Sequence, residues 1–84
     1  YPNPFNPETR FQYNIPADGV VSINVYDILG KKIKTLVNQL KAAGVYTETW
    51  SGQNDNNQMV SSGVYFYQVK VGDEQITKKM ILSK

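Results

Sequence analysis

Cysteine and histidine are both absent from the 84-residue chain. Without cysteine, the fold has neither disulfides nor a thiolate zinc site, which stabilise many other small domains. Without either residue, the common nucleophile–base pairs of hydrolases are excluded as well. A chain of this length forms one small domain. Its stability must therefore come from packing large side chains, and the six tyrosines and one tryptophan meet that need.

Long apolar runs and dense clusters of charge are absent too. No stretch approaches the roughly 18 apolar residues of a membrane span, and the first residues lack the basic and apolar regions of a signal peptide. The net charge is +2, and the lysines at 31–34 and 78–79 are too few for the basic face of a nucleic-acid-binding module. We therefore predict a domain that neither spans a membrane nor binds nucleic acid. We expect it to come from a longer exported protein whose export signal lies upstream.

The seven acidic residues give no sign of a catalytic or metal site. Most lie in or beside predicted turns, and the adjacent pair Asp73 and Glu74 would point to opposite faces of a strand. A general acid–base pair needs two carboxylates that converge on one cleft. The polar segment 51–58 offers oxygen atoms to calcium, but its single charge fits a hairpin loop better, with Asn56 or Asn57 left-handed. We predict no enzymatic activity, no metal and no cofactor.

Short segments of alternating polarity, separated by turn residues, run through the chain. They predict strands at residues 10–15, 20–27, 32–38, 45–50, 63–71 and 74–82, with a short further segment at 59–60. Residues 39–43 are compatible with a helical turn that Gly44 would end. This spacing of strands and turns is typical of an immunoglobulin-like antiparallel β-sandwich of about seven short strands. A closed barrel of the OB type is the structural alternative.

Strict alternation also predicts which side chains share a face. It places Ile33, Thr35 and Val37 together in the third strand, and Ile76, Met80 and Leu82 together in the last. Gly30 lies in a hairpin connection where a positive φ is expected. We assign structural roles to Tyr26, Gly30, Trp50, Tyr65 and Tyr67.

The start of the fifth long strand resembles the tyrosine corner of immunoglobulin-like domains. Tyr65 follows Gly63 by two residues, directly after a polar segment. The resemblance implies that its hydroxyl bonds a backbone carbonyl a few residues upstream. A plain core aromatic with its hydroxyl at the rim is the alternative.

Exposed aromatic side chains would favour a different function. Small β-sandwich modules of secreted hydrolases bind glycans through such side chains, and Trp50, Tyr26 and Phe66 are candidates for that platform. Burial of Trp50, and a Tyr26–Phe66 pair across neighbouring strands, are the structural explanations of the same residues. A structural domain that packs against its parent protein or self-associates is a further alternative.

Several segments, in this order, resemble a known family: YPNPFNP (1–7), VYDILGK (25–31), AG (43–44), WSG (50–52), SGVYFY (62–67) and KMILSK (79–84). Together they resemble the type A C-terminal sorting domain of the type IX secretion system, found in Bacteroidetes and related phyla. They also resemble the immunoglobulin-like domain of the flagellar hook-capping protein. Three positions depart from the family pattern: Glu48, where it tends to be apolar, Ser51, where it often has aspartate, and Asn57, where it often has glycine.

The resemblance implies a secretion signal that forms one domain over residues 1–84, with 1–8 as a linker or edge segment. The parent protein would be exported through the periplasm to the cell surface or the medium. The implied partners are the upstream domains of the parent and the outer-membrane translocon, shuttle protein and sortase-like peptidase of type IX secretion. The recognition motif would comprise Pro2, Asn3, Pro4, Gly63, Tyr65, Lys79 and Lys84. For Gly63 and Tyr65 we favour a structural role, and for the last strand we favour recognition through an exposed edge.

Overall fold

The computed structural model of the chain describes residues 8–83, which form two antiparallel β-sheets packed face to face. The strands are β1 (Thr9–Ile15), β2 (Gly19–Asp27), β3 (Lys32–Lys41), β4 (Gly44–Trp50), β5 (Gly63–Val71) and β6 (Glu74–Leu82). One sheet pairs β1 with β4, and the other has the order β3-β2-β5-β6. The predicted all-β sandwich is confirmed, with six strands in the described part of the chain.

The missing strand is the short segment predicted at 59–60. Met59 forms only an isolated bridge to Gln53, across a polar loop. The Asn54 side chain organises that loop, because its Oδ1 accepts hydrogen bonds from the amides of Asn56 and Gln58 at 2.9 and 3.0 Å. Asn57 has φ +60°, the left-handed conformation predicted for this loop.

The β5–β6 hairpin has the strand boundaries that the sequence predicts. Gly72 and Asp73 connect the facing residues Val71 and Glu74. Gly72 has φ +58°, whereas Asp73 is not among the residues with positive φ. Positive φ at the first central position alone is the pattern of a type II′ turn, whose twist matches that of the two strands.

Strand β3 is longer than predicted and extends to Lys41. Its last residues pair with the start of β2, where Gly19 faces Lys41 and Val20 faces Leu40. The helical turn predicted at 39–43 is therefore wrong. Pairing with β2 keeps this segment extended, although its own sequence does not alternate clearly.

Two β-bulges in β3 change which of its side chains face the core. Ile23 faces Val37 and the next residue of β2, Asn24, faces Thr35, so Leu36 is the extra residue between them. Ile33 is the extra residue of the second bulge, between Lys34 and Lys32. Thr35 consequently points outward with Asn24, and its Oγ1 donates a hydrogen bond to Asn24 Oδ1 at 3.0 Å. The prediction that Thr35 shares a face with Ile33 and Val37 is wrong, because alternation fails at a bulge.

The core between the sheets has two adjoining clusters. One contains Tyr13, Ile15, Val21, Ile23 and Val37, and the other contains Val25, Trp50, Tyr65, Met80 and Leu82. Phe11 of β1 stacks on Tyr67 of β5 with ring centroids 3.8 Å apart, which joins the two sheets directly. Fully burying one such apolar side chain stabilises the fold by about 1.5–3 kcal/mol.

Candidate recognition surface

The carboxylates with resolved partners bond to backbone amides in turns and loops. Asp27 Oδ1 accepts hydrogen bonds from the amides of Leu29 and Lys31, both at 2.9 Å, and Asp18 Oδ1 accepts one from Ala43 at 2.8 Å. Residues 8–83 contain no group of three or more acidic side chains that could hold a metal ion. These aspartates hold turns and loops in place.

Gly30 completes the turn that Asp27 organises. Its amide donates to the Asp27 carbonyl at 3.0 Å, and its φ of +85° is the positive value expected for this connection. The segment 25–31, one of those that resemble the family, therefore has a structural explanation in the β2–β3 turn.

The tyrosine corner is present. The Tyr65 hydroxyl donates a 2.6 Å hydrogen bond to the backbone carbonyl of Ser61, four residues upstream. Its ring meets Trp50 edge to face, with centroids 5.0 Å apart. Gly63 has φ +153°, and a Cβ there would meet nothing within 4 Å, so this position depends on backbone conformation and not on space. Tyr65 thus contacts the core with its ring and the backbone with its hydroxyl, whereas Gly63 is distinguished by its positive φ.

Replacing Tyr65 with phenylalanine is expected to lower the free energy of unfolding by about 1–2 kcal/mol, because the Ser61 carbonyl loses its bond while the ring stays packed. Urea unfolding followed by Trp50 fluorescence measures the loss. Tyr26→Phe is the control, since Tyr26 lies half-buried on the outside of the sheet, and it should change stability by less than about 0.5 kcal/mol. Equal losses in the two variants would contradict a special role for the Tyr65 hydroxyl.

The three aromatic residues proposed as a glycan platform do not share one surface. Trp50 is 1% exposed, and its Nε1 donates to the Gln53 carbonyl at 2.9 Å inside the fold. Tyr26 and Phe66 face each other across β2 and β5, on the outside of the four-stranded sheet. The tryptophan belongs to the core, and only the other two are accessible.

Tyr67 and Tyr13 lie on the inner faces of the two sheets. Burial raises the pKa of Tyr67, and burial together with the nearby Glu48 carboxylate raises the pKa of Tyr13. The Tyr13 hydroxyl has no hydrogen-bond partner among residues 8–83. Glu48, which departs from the family pattern, faces Phe11 in the register of the two-stranded sheet.

Strand β6 forms one edge of the four-stranded sheet and pairs only with β5 in the described chain. Val71 and Glu74 close a two-residue hairpin, so they are a hydrogen-bonded pair, and the pairs alternate from there. The backbone N–H and C=O groups that point away from β5 therefore belong to every second residue of β6: Gln75, Thr77, Lys79 and Ile81.

The inner face of β6 is only partly covered, because a sheet of two strands is narrower than one of four. Met80 and Leu82 are buried, whereas Ile76, on the same face, is 58% exposed. A groove of about 380 Å³ runs between β1 and the first half of β6, and Pro16, Tyr67, Ile76 and Lys78 are among the residues that line it.

The predicted motif residues fall into two groups. Gly63, Tyr65 and Lys79 lie in β5 and β6, and Lys79 is exposed. Pro2, Asn3, Pro4 and Lys84 lie outside the described residues, as does nearly all of the predicted linker at 1–8. Sequence reasoning missed Asp55, whose Oδ1 accepts a hydrogen bond from the Thr35 amide of β3 at 3.0 Å. This contact depends on the position of the 51–58 loop beside β3, which the sequence alone does not show.

The family model of the secretion system C-terminal sorting domain matches residues 1–83. The chain belongs to this family. The match covers the opening Pro2–Asn3–Pro4 motif and the tyrosine corner, and it runs to within one residue of Lys84. No curated protein matches the sequence.

Among solved structures, FlgD from P. aeruginosa is similar to this sorting domain. The TM-score is 0.69 and the sequence identity is 22%, over 89% of this chain and 58% of the FlgD chain. At this identity the likeness concerns the fold alone, and it supports the immunoglobulin-like class that the strand pattern predicted.

Membership of the family gives the function. The domain is a C-terminal sorting signal for type IX secretion, as its motifs predicted. A sorting signal implies recognition by the secretion machinery and export of the protein that carries it. No helix in residues 8–83 is long and apolar enough to cross a membrane.

Proposed function

We propose that the type IX machinery binds this sorting domain through strand β6, by adding a strand of its own to the outer edge of that strand. The observation that supports this is the position of β6: nine residues at the end of a sheet, with a partner strand on one side only among residues 8–83. Main-chain hydrogen bonds then provide affinity, and alternate side chains provide specificity.

The opposite edge of the same sheet is less available. There the loop after β4 lies against β3: the Asp55 amide donates to the Ile33 carbonyl at 2.9 Å, and the Thr35 amide donates to Asp55 Oδ1 at 3.0 Å. Covering a strand with a loop is one way in which proteins block unwanted edge pairing. Within the described chain, such covering is seen at β3 and not at β6.

Side chains of β6 would set the specificity of this pairing. Ile76 and Ile81 are 58% and 67% exposed, and Lys79 adds positive charge. Exposed apolar residues on an edge strand favour association with another strand, whereas lysines oppose indiscriminate pairing. Lys84, Pro2, Asn3 and Pro4 remain proposed members of the recognition motif.

We further propose that residues 1–84 act as one domain that directs a larger parent protein through the periplasm to the cell surface or the medium. The proposed partners are the outer-membrane translocon, the shuttle protein and a sortase-like peptidase. Binding and not catalysis is the proposed activity. The absence of histidine and cysteine supports it, because the common nucleophile–base pairs need them.

A fusion experiment tests this function. A periplasmic fluorescent reporter carries the domain at its C-terminus in a type IX-competent host, beside a version that lacks residues 79–84. We expect the full fusion to reach the surface or the medium and the truncated fusion to stay in the periplasm. A folded full fusion that stays in the periplasm would contradict the sorting function in that host.

The strand-addition mechanism has its own variant, Thr77→Pro. Proline removes an amide that points away from β5, so the β5–β6 ladder keeps its hydrogen bonds. We expect the exported fraction to fall at least about ten-fold while circular dichroism still reports a folded sandwich. Thr77→Ala is the control for the lost side chain and should lower export far less than Thr77→Pro. Normal export of a folded Thr77→Pro fusion would contradict edge recognition.

A further inference from the structure

The outer face of the four-stranded sheet, turned away from β1 and β4, carries two aromatic residues between two lysines. The strand register aligns Lys32, Tyr26, Phe66 and Lys79 in one row across β3, β2, β5 and β6. Since neighbouring strands lie about 4.8 Å apart, the two lysine Cα atoms are separated by roughly 14 Å. Both lysines are exposed, and both aromatic residues are half-buried.

Two further rows extend this face. Thr35, Asn24, Gln68 and Thr77 form the second, and Asn38, Ser22, Lys70 and Gln75 form the third. No aspartate or glutamate occupies any position of the three rows, all of which lie in the described chain. We call this surface, with its charges Lys32, Lys70 and Lys79, the lysine face.

The arrangement of the lysine face resembles that of a protein–protein interface. Aromatic residues are enriched at the centres of such interfaces, and charged residues surround them at the rim. Here Tyr26 and Phe66 lie at the centre of their row, and the lysines lie at its ends. Because the face has positive charge and no carboxylate of its own, it is complementary to an acidic surface.

A glycan fits these residues less well. The hydroxyl and amide groups of the second row already bond one another: Thr35 Oγ1 donates to Asn24 Oδ1 at 3.0 Å, and Gln68 Nε2 approaches Thr77 Oγ1 at 3.5 Å. Asn24 Nδ2 also donates to Ser22 Oγ at 3.3 Å. Sugar hydroxyls would have to displace these bonds, whereas carboxylates would pair with the lysine ammonium groups, which have no ion-pair partner among residues 8–83.

We propose that the lysine face binds a carboxylate-bearing protein surface of the secretion machinery, with Tyr26 and Phe66 buried at the centre of the contact. This inference rests on the sorting function and adds a second contact to the β6 edge. One partner would then hold the sheet by its edge and by its outer face.

Two pairs of adjacent lysines provide a matched test in the same reporter fusion. Lys32 and Lys79 lie on the lysine face, whereas Lys31 lies in the β2–β3 turn and Lys78 faces the opposite side of β6. The double variants K32E/K79E and K31E/K78E change the net charge equally. We expect the first to lower the exported fraction at least about ten-fold and the second to change it less than about two-fold.

Single variants separate the face from the edge. Lys32 lies on β3, three strands away from the β6 edge. K32E alone should therefore reduce export while K31E does not, and F66S should reduce it without any change in charge. Circular dichroism of each purified domain verifies that the sandwich is folded.

Each remaining outcome contradicts the proposal. Equal losses in both double variants would mean that net charge matters and not this face. Normal export of K32E/K79E would exclude the lysine face while leaving the sorting function intact. An unmodified fusion that stays in the periplasm would overturn the sorting function and this inference with it. Retention of the purified domain on insoluble polysaccharide, lost in F66S, would identify a glycan as the ligand and not a protein.

Discussion

Replacing Trp50 with alanine is expected to remove a large part of the stability of the domain. Trp50 is 1% exposed and is the largest fully buried side chain in the described chain. Truncating a buried tryptophan costs about 3–5 kcal/mol, because the removed atoms lose their contacts and leave a cavity. At roughly 0.05–0.15 kcal/mol per residue, a domain of this size has only about 4–13 kcal/mol in total.

The packing of Trp50 explains why little can relax around the cavity. Its cluster includes Val25 from β2, Tyr65 from β5, and Met80 and Leu82 from β6. The indole Nε1 bond to the Gln53 carbonyl also fixes the loop that follows β4. One side chain thus connects the two-stranded sheet to three elements of the rest of the fold.

Urea unfolding followed by far-UV circular dichroism measures this effect, since the variant lacks the fluorescent residue. Val45→Ala on the same strand is the control, because Val45 is 66% exposed, and it should cost less than about 0.5 kcal/mol. Trp50→Phe should cost less than the alanine variant, because much of the volume remains. A loss below about 1 kcal/mol in Trp50→Ala would contradict a core role for this residue.

The sequence predicts the fold best where local signals agree with one another. The β5–β6 hairpin combines a Gly-Asp turn with clear alternation, and its boundaries coincide with those predicted. The end of β3 has no such agreement, and only its pairing with β2 keeps residues 39–41 extended. The bulges at Ile33 and Leu36 depend on how two strands align, so alternation along β3 alone places Thr35 on the wrong face.

The surface of the domain is harder to predict than its core, because it depends on the order of strands. Lys32 and Lys79 are 47 positions apart in the chain, yet both lie in one row with Tyr26 and Phe66. Nothing local in the sequence shows this alignment. The tyrosine corner is different, since the bond from Tyr65 to Ser61 spans only four residues and the motif predicts it.

The second large effect is expected at Gly52, in the Trp-Ser-Gly motif that follows β4. Its φ is +77°, in the left-handed region, and it is buried. A Cβ at this position would lie 3.2 Å from Leu82 Cδ1 and 3.3 Å from Met59 Cε. Gly52→Ala should therefore cost about 2–3 kcal/mol, because about 1 kcal/mol of left-handed strain adds to the crowding.

Gly30→Ala is the matched control that separates these two causes. Gly30 has φ +85°, and a Cβ there would meet nothing within 4 Å, so it carries the strain without the crowding. We expect a loss of about 1 kcal/mol in its urea unfolding, measured by Trp50 fluorescence. Equal losses in the two variants would show that Leu82 and Met59 move aside at no cost. A larger loss at Gly52 would show that the packing between this loop and the end of β6 is tight. Because β6 is the proposed recognition strand, the loop would then also hold that strand in the position in which the secretion machinery binds it.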